Sequence, residues 1–162
     1  MKNDGIWTKI ALGAAAGLAG TLVIQGLQTA NQKWAPKAQA PIRMHPGKFM
    51  IDKVKNVLPE SAANSISPGV EKTLMNLLPV GYGSTGAALY TALRSDPHVV
   101  LDGAALGAAV WAAGYLGWLP AFGLMPPVKE HTPAQIASSV GQHVLYGIAT
   151  VAAFKKLKST LA

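Results

Sequence analysis

"GAALGAAVWAAGYLGWLPAFGLMPP", residues 103–127, contains no charged residue and is built almost entirely from glycine, alanine, leucine and aromatic residues. A helix on the surface of a soluble protein normally carries a charged face, which this stretch lacks. Lipid chains are as apolar as leucine, so helices in a bilayer associate mainly through close packing of small residues. The stretch therefore predicts a transmembrane helix with lipid on one side and a neighbouring backbone on the other.

Three further stretches of the chain lack charge in the same way. Only 13% of the 162 residues are charged, against about 25% in soluble domains. Each uncharged window holds at least 21 residues, and a membrane-spanning helix needs about 20. The alternative, a soluble bundle of buried alanine-rich helices, would keep a charged face on its helices. We expect one all-α, polytopic membrane domain, residues 1–162, whose four spans cover residues 6–32, 70–93, 97–119 and 132–157.

The first span has some features of a secretory signal. Lys2 and Lys9 precede an apolar run, and "AQA" at residues 38–40 resembles a cleavage site. The uncharged run is nevertheless longer than the apolar core of a signal peptide, which has about 7–15 residues. We therefore expect a span that is retained. The absence of cysteine excludes disulfides and thiolate metal sites, and we predict no metal site.

A basic, proline-rich loop over residues 34–68 separates the first two spans. Within it, "GKFMIDKVKNVL", residues 47–58, places its apolar residues close to one helical face and its lysines mostly on the other. Such a short amphipathic helix is typical of a segment that lies on a membrane surface. A solvated connecting loop is the alternative. The residues expected at the membrane surface are Lys48, Phe49, Lys53 and Lys55.

An internal repeat relates the first two spans to the last two. "GAAAG" at residues 13–17 matches "GAALG" at residues 103–107, and a proline follows each at the same spacing. Tyr82 and Gly83, with Tyr90 beyond them, match Tyr146 and Gly147, with Phe154 beyond them. Two similar helical hairpins are therefore predicted, although glycine- and alanine-rich helices also match by chance.

Small residues at helical spacing predict where the spans pack against one another or against partner helices. Pro79 lies inside the second span and is expected to kink it, because proline removes one helical hydrogen bond. The glycines expected to form helix-packing ridges are Gly13, Gly17, Gly83, Gly86, Gly103 and Gly107.

Three polar residues in the spans are candidates for a functional site. His143 lies about 15 Å along the fourth span, where an ionisable residue is a functional candidate by default. It could bind haem or chlorophyll, relay a proton, or simply bond a neighbouring helix, as Gln142 would. No second histidine lies at equal depth, which argues against a cytochrome. Asp102, one turn inside the third span, is better placed to stabilise a helix N-terminus than to couple transport.

The sequence contains no ordered Ser/His/Asp set, nucleophile elbow or phosphate-binding glycine loop. This favours a protein that is not an enzyme. The net charge of +7 comes from dispersed basic residues without interleaved aromatics, so nucleic acid is not an expected partner. Lysine and arginine in loops and tails instead suit lipid headgroups. The expected partners are the bilayer and either other membrane subunits or further copies of the chain.

The distribution of basic residues bears on orientation in the membrane. Four spans place both termini on one side, with six basic residues including the turn at 94–97, and leave eight on the other side. The first helix and the C-terminal "KKLK", residues 155–158, favour cytoplasmic termini, whereas the basic loop opposes them. We expect cytoplasmic termini.

The segments "GAAAGLAGT" (13–21), "WLPAFGLMPP" (118–127) and "HVLYG" (143–147) together resemble the YagU-like bacterial inner-membrane proteins. The resemblance implies a multi-pass protein of the bacterial inner membrane. That group has no established activity, so the resemblance assigns no catalytic residue.

These patterns leave three functions open. The first is a non-catalytic accessory subunit packed against a larger membrane complex of the respiratory or photosynthetic type. The second is a small oligomeric transporter or channel with a pathway near Pro79 and His143. The third is a pigment- or haem-binding subunit that uses His143 as a ligand.

Overall fold

The computed structural model describes residues 5–94 and 96–161. The predicted all-α class is confirmed, since the described residues contain no strand. The seven α-helices of this part of the chain are α1 (Ile6–Trp34), α2 (Pro46–Val57), α3 (Glu60–Asn64), α4 (Pro68–Leu93), α5 (Val99–Ala112), α6 (Leu119–Ala121) and α7 (Pro133–Leu161). A π-helical turn, Ala113–Trp118, joins α5 to α6, and 3-10 turns cover Pro36–Ala38 and Val128–Glu130.

The four long helices form a bundle in which α1 packs between α4 and α7, and α5 packs along α7. Helices α4 and α5 make few contacts with each other. The start of α1, the turn between α4 and α5, and the end of α7 lie at one end of the bundle, called here the terminal end. There Thr91 Oγ1 donates to the Lys9 carbonyl at 3.0 Å, and Lys155 pairs with Asp96 at 3.2 Å. The opposite end, which carries α2 and α3, is called the loop end.

Local sequence explains where the long helices begin. Ser67 Oγ accepts from the Val70 amide at 3.4 Å, and Pro68 occupies the first turn of α4. At α7, Thr132 Oγ1 accepts from the Gln135 amide at 3.3 Å, while Gln135 Oε1 accepts from the Thr132 amide at 2.9 Å. These reciprocal bonds satisfy amides that a helix N-terminus leaves without partners.

The third predicted span differs from the expected continuous helix over residues 97–119. Regular α-helix ends at Ala112, and the π-helical turn that follows contains a non-helical residue, Gly117, with φ −102° and ψ −110°. Helix α4 continues through Pro79 as one helix, and the kink expected there stays a prediction. The marked departure from helical backbone therefore lies in the third span, at a glycine whose lack of a Cβ tolerates unusual dihedrals.

The loop end is closed by an apolar cluster around the π-helical turn. Its buried members are Tyr115, Leu119, Leu124 and Met125. Phe49 of α2 packs against Phe122 with ring centroids 5.4 Å apart. Phe49 is therefore half-buried against the loop end of the bundle. The exposed apolar side chains of α2 are Met50, Val54 and Val57.

Two helical segments are long and apolar enough to cross a membrane, Ile6–Trp34 with mean hydropathy 1.8 and Val99–Ala121 with 1.5. Only 28% and 33% of their apolar windows are buried inside the bundle, so neither resembles the mostly buried core helix of a soluble protein. Helices α4 and α7 are also long, with 26 and 29 residues, but they are less apolar and do not qualify as candidate spans. The structure thus provides two candidate spans where the sequence predicts four.

Candidate functional site

Helices α5 and α7 meet backbone against backbone. Gly147 lies between Gly103 and Gly107, and a Cβ added to Gly147 would overlap the Gly103 carbonyl. A Cβ on Gly103 would lie 2.5 Å from the Ile148 Cα, and one on Gly107 would overlap the His143 carbonyl. Because backbone atoms cannot rotate aside, this crossing requires glycine on both helices.

Helix α1 contacts both of its neighbours through glycines. A Cβ on Gly13 would meet the side chain of Thr91 on α4, and one on Gly17 would lie 2.5 Å from the Ser84 Cα. Gly20 faces α7 and contacts Thr150 there. The glycines predicted to form packing ridges therefore lie at helix contacts. The contact of Gly86 is looser, since an added Cβ there would lie 3.2 Å from Val110 Cγ2 of α5.

Tyr146 of α7 joins the two hairpins near the centre of the bundle. Its side chain is 2% exposed, and its hydroxyl donates to the Gly83 carbonyl of α4 at 2.6 Å. The ring also contacts Gly20 of α1. One tyrosine thus connects α7 to both helices of the first hairpin.

A cleft of about 120 Å³ opens beside Tyr146 and is lined by all four long helices. Its apolar walls come from Ile24, Pro79 and Val110. The cleft contains no lysine, arginine, aspartate or glutamate among its lining residues. The polar side chains in its lining are Thr21, Gln25, Gln28, Tyr82, His143 and Tyr146.

His143 is half-buried in this cleft. Its Nδ1 lies 2.8 Å from the Ser139 carbonyl. Because a carbonyl only accepts, Nδ1 carries the proton, and the neutral ring keeps Nε2 as an acceptor. Tyr115 packs edge-on against the imidazole with centroids 5.5 Å apart. His143 therefore lies in a fixed orientation with one nitrogen available.

Tyr82 spans the gap between α4 and α5 at the cleft. Its hydroxyl donates to the Val110 carbonyl at 3.3 Å, and its ring packs edge-on to Trp118 with centroids 6.2 Å apart. Val110 lies shortly before the π-helical turn. Such turns within helices are frequent at functional sites, and here the turn and Pro79 flank the same cleft.

The other sequence candidates lie away from the cleft. Gln142 donates to Ser138 Oγ at 2.9 Å, and the same oxygen accepts from Asn31 of α1 at 3.0 Å. This arrangement bonds α7 to α1. The bond between the helices is made by Asn31 and Ser138, and Gln142 supports Ser138 from within α7.

Asp102 lies at the terminal end, where it is 8% exposed. Its carboxylate accepts from the Tyr90 hydroxyl, from Arg94 Nε at 3.0 Å and from the His98 amide at 2.5 Å. The hydrogen bond with Asp102 raises the pKa of the Arg94 guanidinium. These bonds join the end of α4 to the start of α5, which suits a role at a helix N-terminus.

The lysines of α2 make local ion pairs. Lys48 pairs with Asp52 at 3.0 Å, and Lys55 pairs with Glu71 of α4 at 3.5 Å. The hydrogen bond and charge of Asp52 raise the pKa of Lys48. Lys53 lies over the Phe49 ring at 5.6 Å. Whether this surface meets a membrane stays a prediction.

Sequence reasoning did not single out Gln25, Gln28, Tyr82 or Tyr146 as site residues. Two glutamines at i and i+3 inside an otherwise apolar span were an available signal, because polar groups in hydrocarbon need partners. The tyrosines appeared only as members of the repeat. Their position beside one cleft depends on how the four helices cross.

Within the described ranges, no group of three or more histidine, aspartate or glutamate side chains is placed to hold a metal ion. Comparison with known proteins found no match among protein-family models, curated proteins or solved structures. The resemblance to YagU-like proteins therefore stays a prediction, and the function has to be inferred from the geometry of this chain.

Proposed function

We propose that the chain is a four-span membrane protein that serves as a non-catalytic accessory subunit, docked against a transmembrane helix of a larger membrane complex. The four-span arrangement is supported by where the polar residues of α7 lie. Ser138, Ser139 and His143 lower its mean hydropathy, but each makes a hydrogen bond inside the bundle. Such internal bonding allows a moderately polar helix to lie in hydrocarbon.

The exposed surface of the bundle supports the same proposal. Large apolar side chains project outward from each of the long helices. In a membrane, lipid or a partner helix would cover these side chains. Examples from the four helices are Leu22, Leu77, Leu101 and Leu145.

The observation that carries the accessory role is a groove on the outer side of the α1–α4 pair. The groove measures about 400 Å³ and is lined by Ile10 and Ala14 from α1 and by Gly81, Ser84, Thr85, Ala88 and Leu89 from α4. Gly81, Thr85 and Ala88 recur at helical spacing, which is how transmembrane helices present a close-packing ridge. A Cβ on Gly81 would meet no atom within 4 Å, so the ridge is open.

The ridge of small residues favours a helix over a lipid chain as the occupant of this groove. Close backbone packing is gained only against another helix, whereas an acyl chain has no backbone to bring close. The groove therefore fits a partner helix with a small-residue face.

Placement in a bacterial inner membrane with cytoplasmic termini completes the proposal. Its support is the sequence resemblance and the basic residues at the first helix and the C-terminus. Of the alternatives, pigment or haem binding inside the cleft is disfavoured by size. The cleft volume of about 120 Å³ is below the roughly 300–1,000 Å³ typical of pockets for drug-sized ligands. A tetrapyrrole is at least as large as a drug-sized ligand.

The test compares two glycine substitutions that the isolated chain should tolerate equally. Gly81 lies in the groove and Gly26 lies on α1 outside it, and neither has an atom within 4 Å of an added Cβ. Tagged wild type, Gly81→Leu and Gly26→Leu are extracted from native membranes in mild detergent and run on a native gel with an absorption spectrum. We expect a high-mass complex with wild type and Gly26→Leu, and its loss with Gly81→Leu.

A high-mass complex that survives Gly81→Leu unchanged would overturn the groove as the docking surface. A wild-type chain that purifies only with copies of itself would overturn the accessory role and favour the oligomeric transporter. A coloured preparation that His143→Leu bleaches would instead establish the pigment- or haem-binding alternative.

A further inference from the structure

We propose that the cleft around His143 binds the neutral hydroxylated ring of a lipid-soluble phenol or hydroquinone. This inference does not rest on the docking of a partner helix. It concerns the cleft between the four helices, whereas the proposed docking groove lies on the outer side of α1 and α4.

The charge of the lining selects a neutral ligand. Among the residues that the structure describes, no lysine, arginine, aspartate or glutamate lines the cleft. A charged ligand would lie without a counter-charge among apolar walls, and burial of an unpaired charge is very costly. Fatty acids and phosphate-bearing molecules are therefore poor occupants, while alcohols, phenols and carbonyl compounds are acceptable.

The hydrogen-bonding groups select a ligand that both donates and accepts. The hydroxyls of Thr21, Tyr82 and Tyr146 already donate to backbone carbonyls, at 2.8, 3.3 and 2.6 Å. Their oxygens can still accept, so the donors left for a ligand are the side-chain amides of Gln25 and Gln28, and the acceptors include Nε2 of His143. A ring hydroxyl can donate to His143 Nε2 and accept from a glutamine amide, whereas an ether or a hydrocarbon cannot donate.

The size and shape of the cleft favour a single ring. Its volume of about 120 Å³ is well below that of pockets for drug-sized molecules. Aromatic side chains of Tyr82 and Tyr146 lie in the lining, and ring edges and faces pack favourably against another ring. Only the head of a larger lipid would fit inside.

The opening of the cleft favours arrival from the bilayer. Pro79, Tyr82 and Gln28 line the cleft and are exposed on the surface of the bundle. They lie near the gap between α4 and α5, which make few contacts. In a four-span protein this gap faces lipid, so an alkyl or isoprenoid tail would extend from it into the hydrocarbon.

The experiment uses a probe pair that differs only in the hydrogen-bond donor. Tritiated 4-decylphenol is bound to the full chain in lipid nanodiscs, with empty nanodiscs as the background, and displaced by unlabelled 4-decylphenol or 4-decylanisole. We expect saturable binding in which the phenol displaces the label about tenfold better than its methyl ether. A tenfold difference in affinity corresponds to roughly one hydrogen bond to a buried acceptor.

Three variants assign the binding to the cleft. His143→Leu should abolish the preference for phenol over anisole, and Gln25→Leu should weaken phenol binding about tenfold. Gln32→Leu is the matched control, because Gln32 is exposed on α1 outside the cleft lining and should leave binding unchanged. Circular dichroism and size-exclusion chromatography check that each variant is folded.

Several outcomes would overturn this inference. Absence of saturable phenol binding to the wild type excludes the site. Equal displacement by anisole shows that only the tail is bound. If His143→Leu is unfolded, the Gln25→Leu variant decides, and wild-type binding by folded Gln25→Leu places the ligand elsewhere.

Discussion

The two hairpins of this protein, α1 with α4 and α5 with α7, achieve helix contact in different ways. In the α5–α7 pair, glycines on both helices bring backbone against backbone, with Gly147 between Gly103 and Gly107. In the α1–α4 pair, a Cβ on Gly17 would lie 2.5 Å from the Ser84 Cα, while Gly13 of α1 faces the side chain of Thr91. The α1–α4 contact therefore combines backbone approach at Gly17 with a side chain at Gly13 that can adjust.

The hairpins also differ in register. When they are aligned on the predicted repeat, Gly83 corresponds to Gly147, and Gly13 corresponds to Gly103. Gly147 contacts Gly103, but Gly83 lies against Gly17, which is one helical turn further along α1. The two pairs of helices therefore cross at points one turn apart.

Residue size explains this difference. On α4, Ala87 and Thr91 are small enough for α1 to cross beside them. The corresponding residues of α7 are Val151 and Lys155, whose larger side chains would keep α5 away. The backbone of His143 packs against Gly107. Because of the shift, its counterpart Pro79 has no such glycine against it and lies beside an open cleft. Similar sequences in the two hairpins thus produce one closed crossing and one adjacent cavity.

The largest expected effect concerns the α5–α7 crossing. Gly107→Ala adds a Cβ that overlaps the His143 carbonyl, and the two helices must separate along their length. We expect a loss of about 3 kcal/mol or more in the free energy of unfolding, the upper part of the range for overpacking. Reversible unfolding by sodium dodecyl sulfate in mixed micelles, followed by circular dichroism, measures it.

Gly26→Ala serves as the control for this prediction, because its added Cβ meets no atom within 4 Å. It should be neutral or slightly stabilising, since alanine is the better helix former. If Gly107→Ala proved as mild as Gly26→Ala, the backbone contact would not determine the packing of α5 on α7.

A smaller effect is expected at the α1–α4 crossing. Gly13→Ala should cost about 1 kcal/mol, because the main clash is with a side-chain atom, Thr91 Oγ1. Adding Thr91→Ala removes that atom. The loss of unfolding free energy in the double variant should therefore be smaller than the sum of the two single losses by at least about 0.5 kcal/mol. The same unfolding assay measures all three variants. Strictly additive losses would show that Thr91 does not set this contact.

The smallest effect is expected where the two hairpins meet. Tyr146→Phe removes the hydroxyl that donates to the Gly83 carbonyl at 2.6 Å and leaves the ring in place. Hydrogen bonds between helices in membrane proteins average about 0.6 kcal/mol, so a loss of that order is expected. Backbone hydrogen exchange should rise around Gly83 more than around Gly107. A uniform rise would mean that Tyr146 acts on the whole bundle instead of the junction.

The sequence by itself determined the helical class and most helix positions. Charge-free windows, prolines and capping residues act over a few neighbouring residues, so the start of α7 at Thr132 and Pro133 and the helix α2 were predicted from local pattern. Six of the glycines that approach other helices were also identified from their spacing, whereas Gly20, Gly47 and Gly147 were not. The short helix α3 and the π-helical turn after Ala112 were not predicted, because neither produces a distinct local period.

Only the tertiary structure decided which glycine meets which helix, and with it the cleft. Gln25, Tyr82 and His143 come from three helices, and they share one cavity because the hairpins cross one turn out of register. That register depends on the combined shapes of two helix faces distant in sequence. A pattern of small and apolar residues shows that helices can approach closely, but close packing of whole surfaces selects the crossing point.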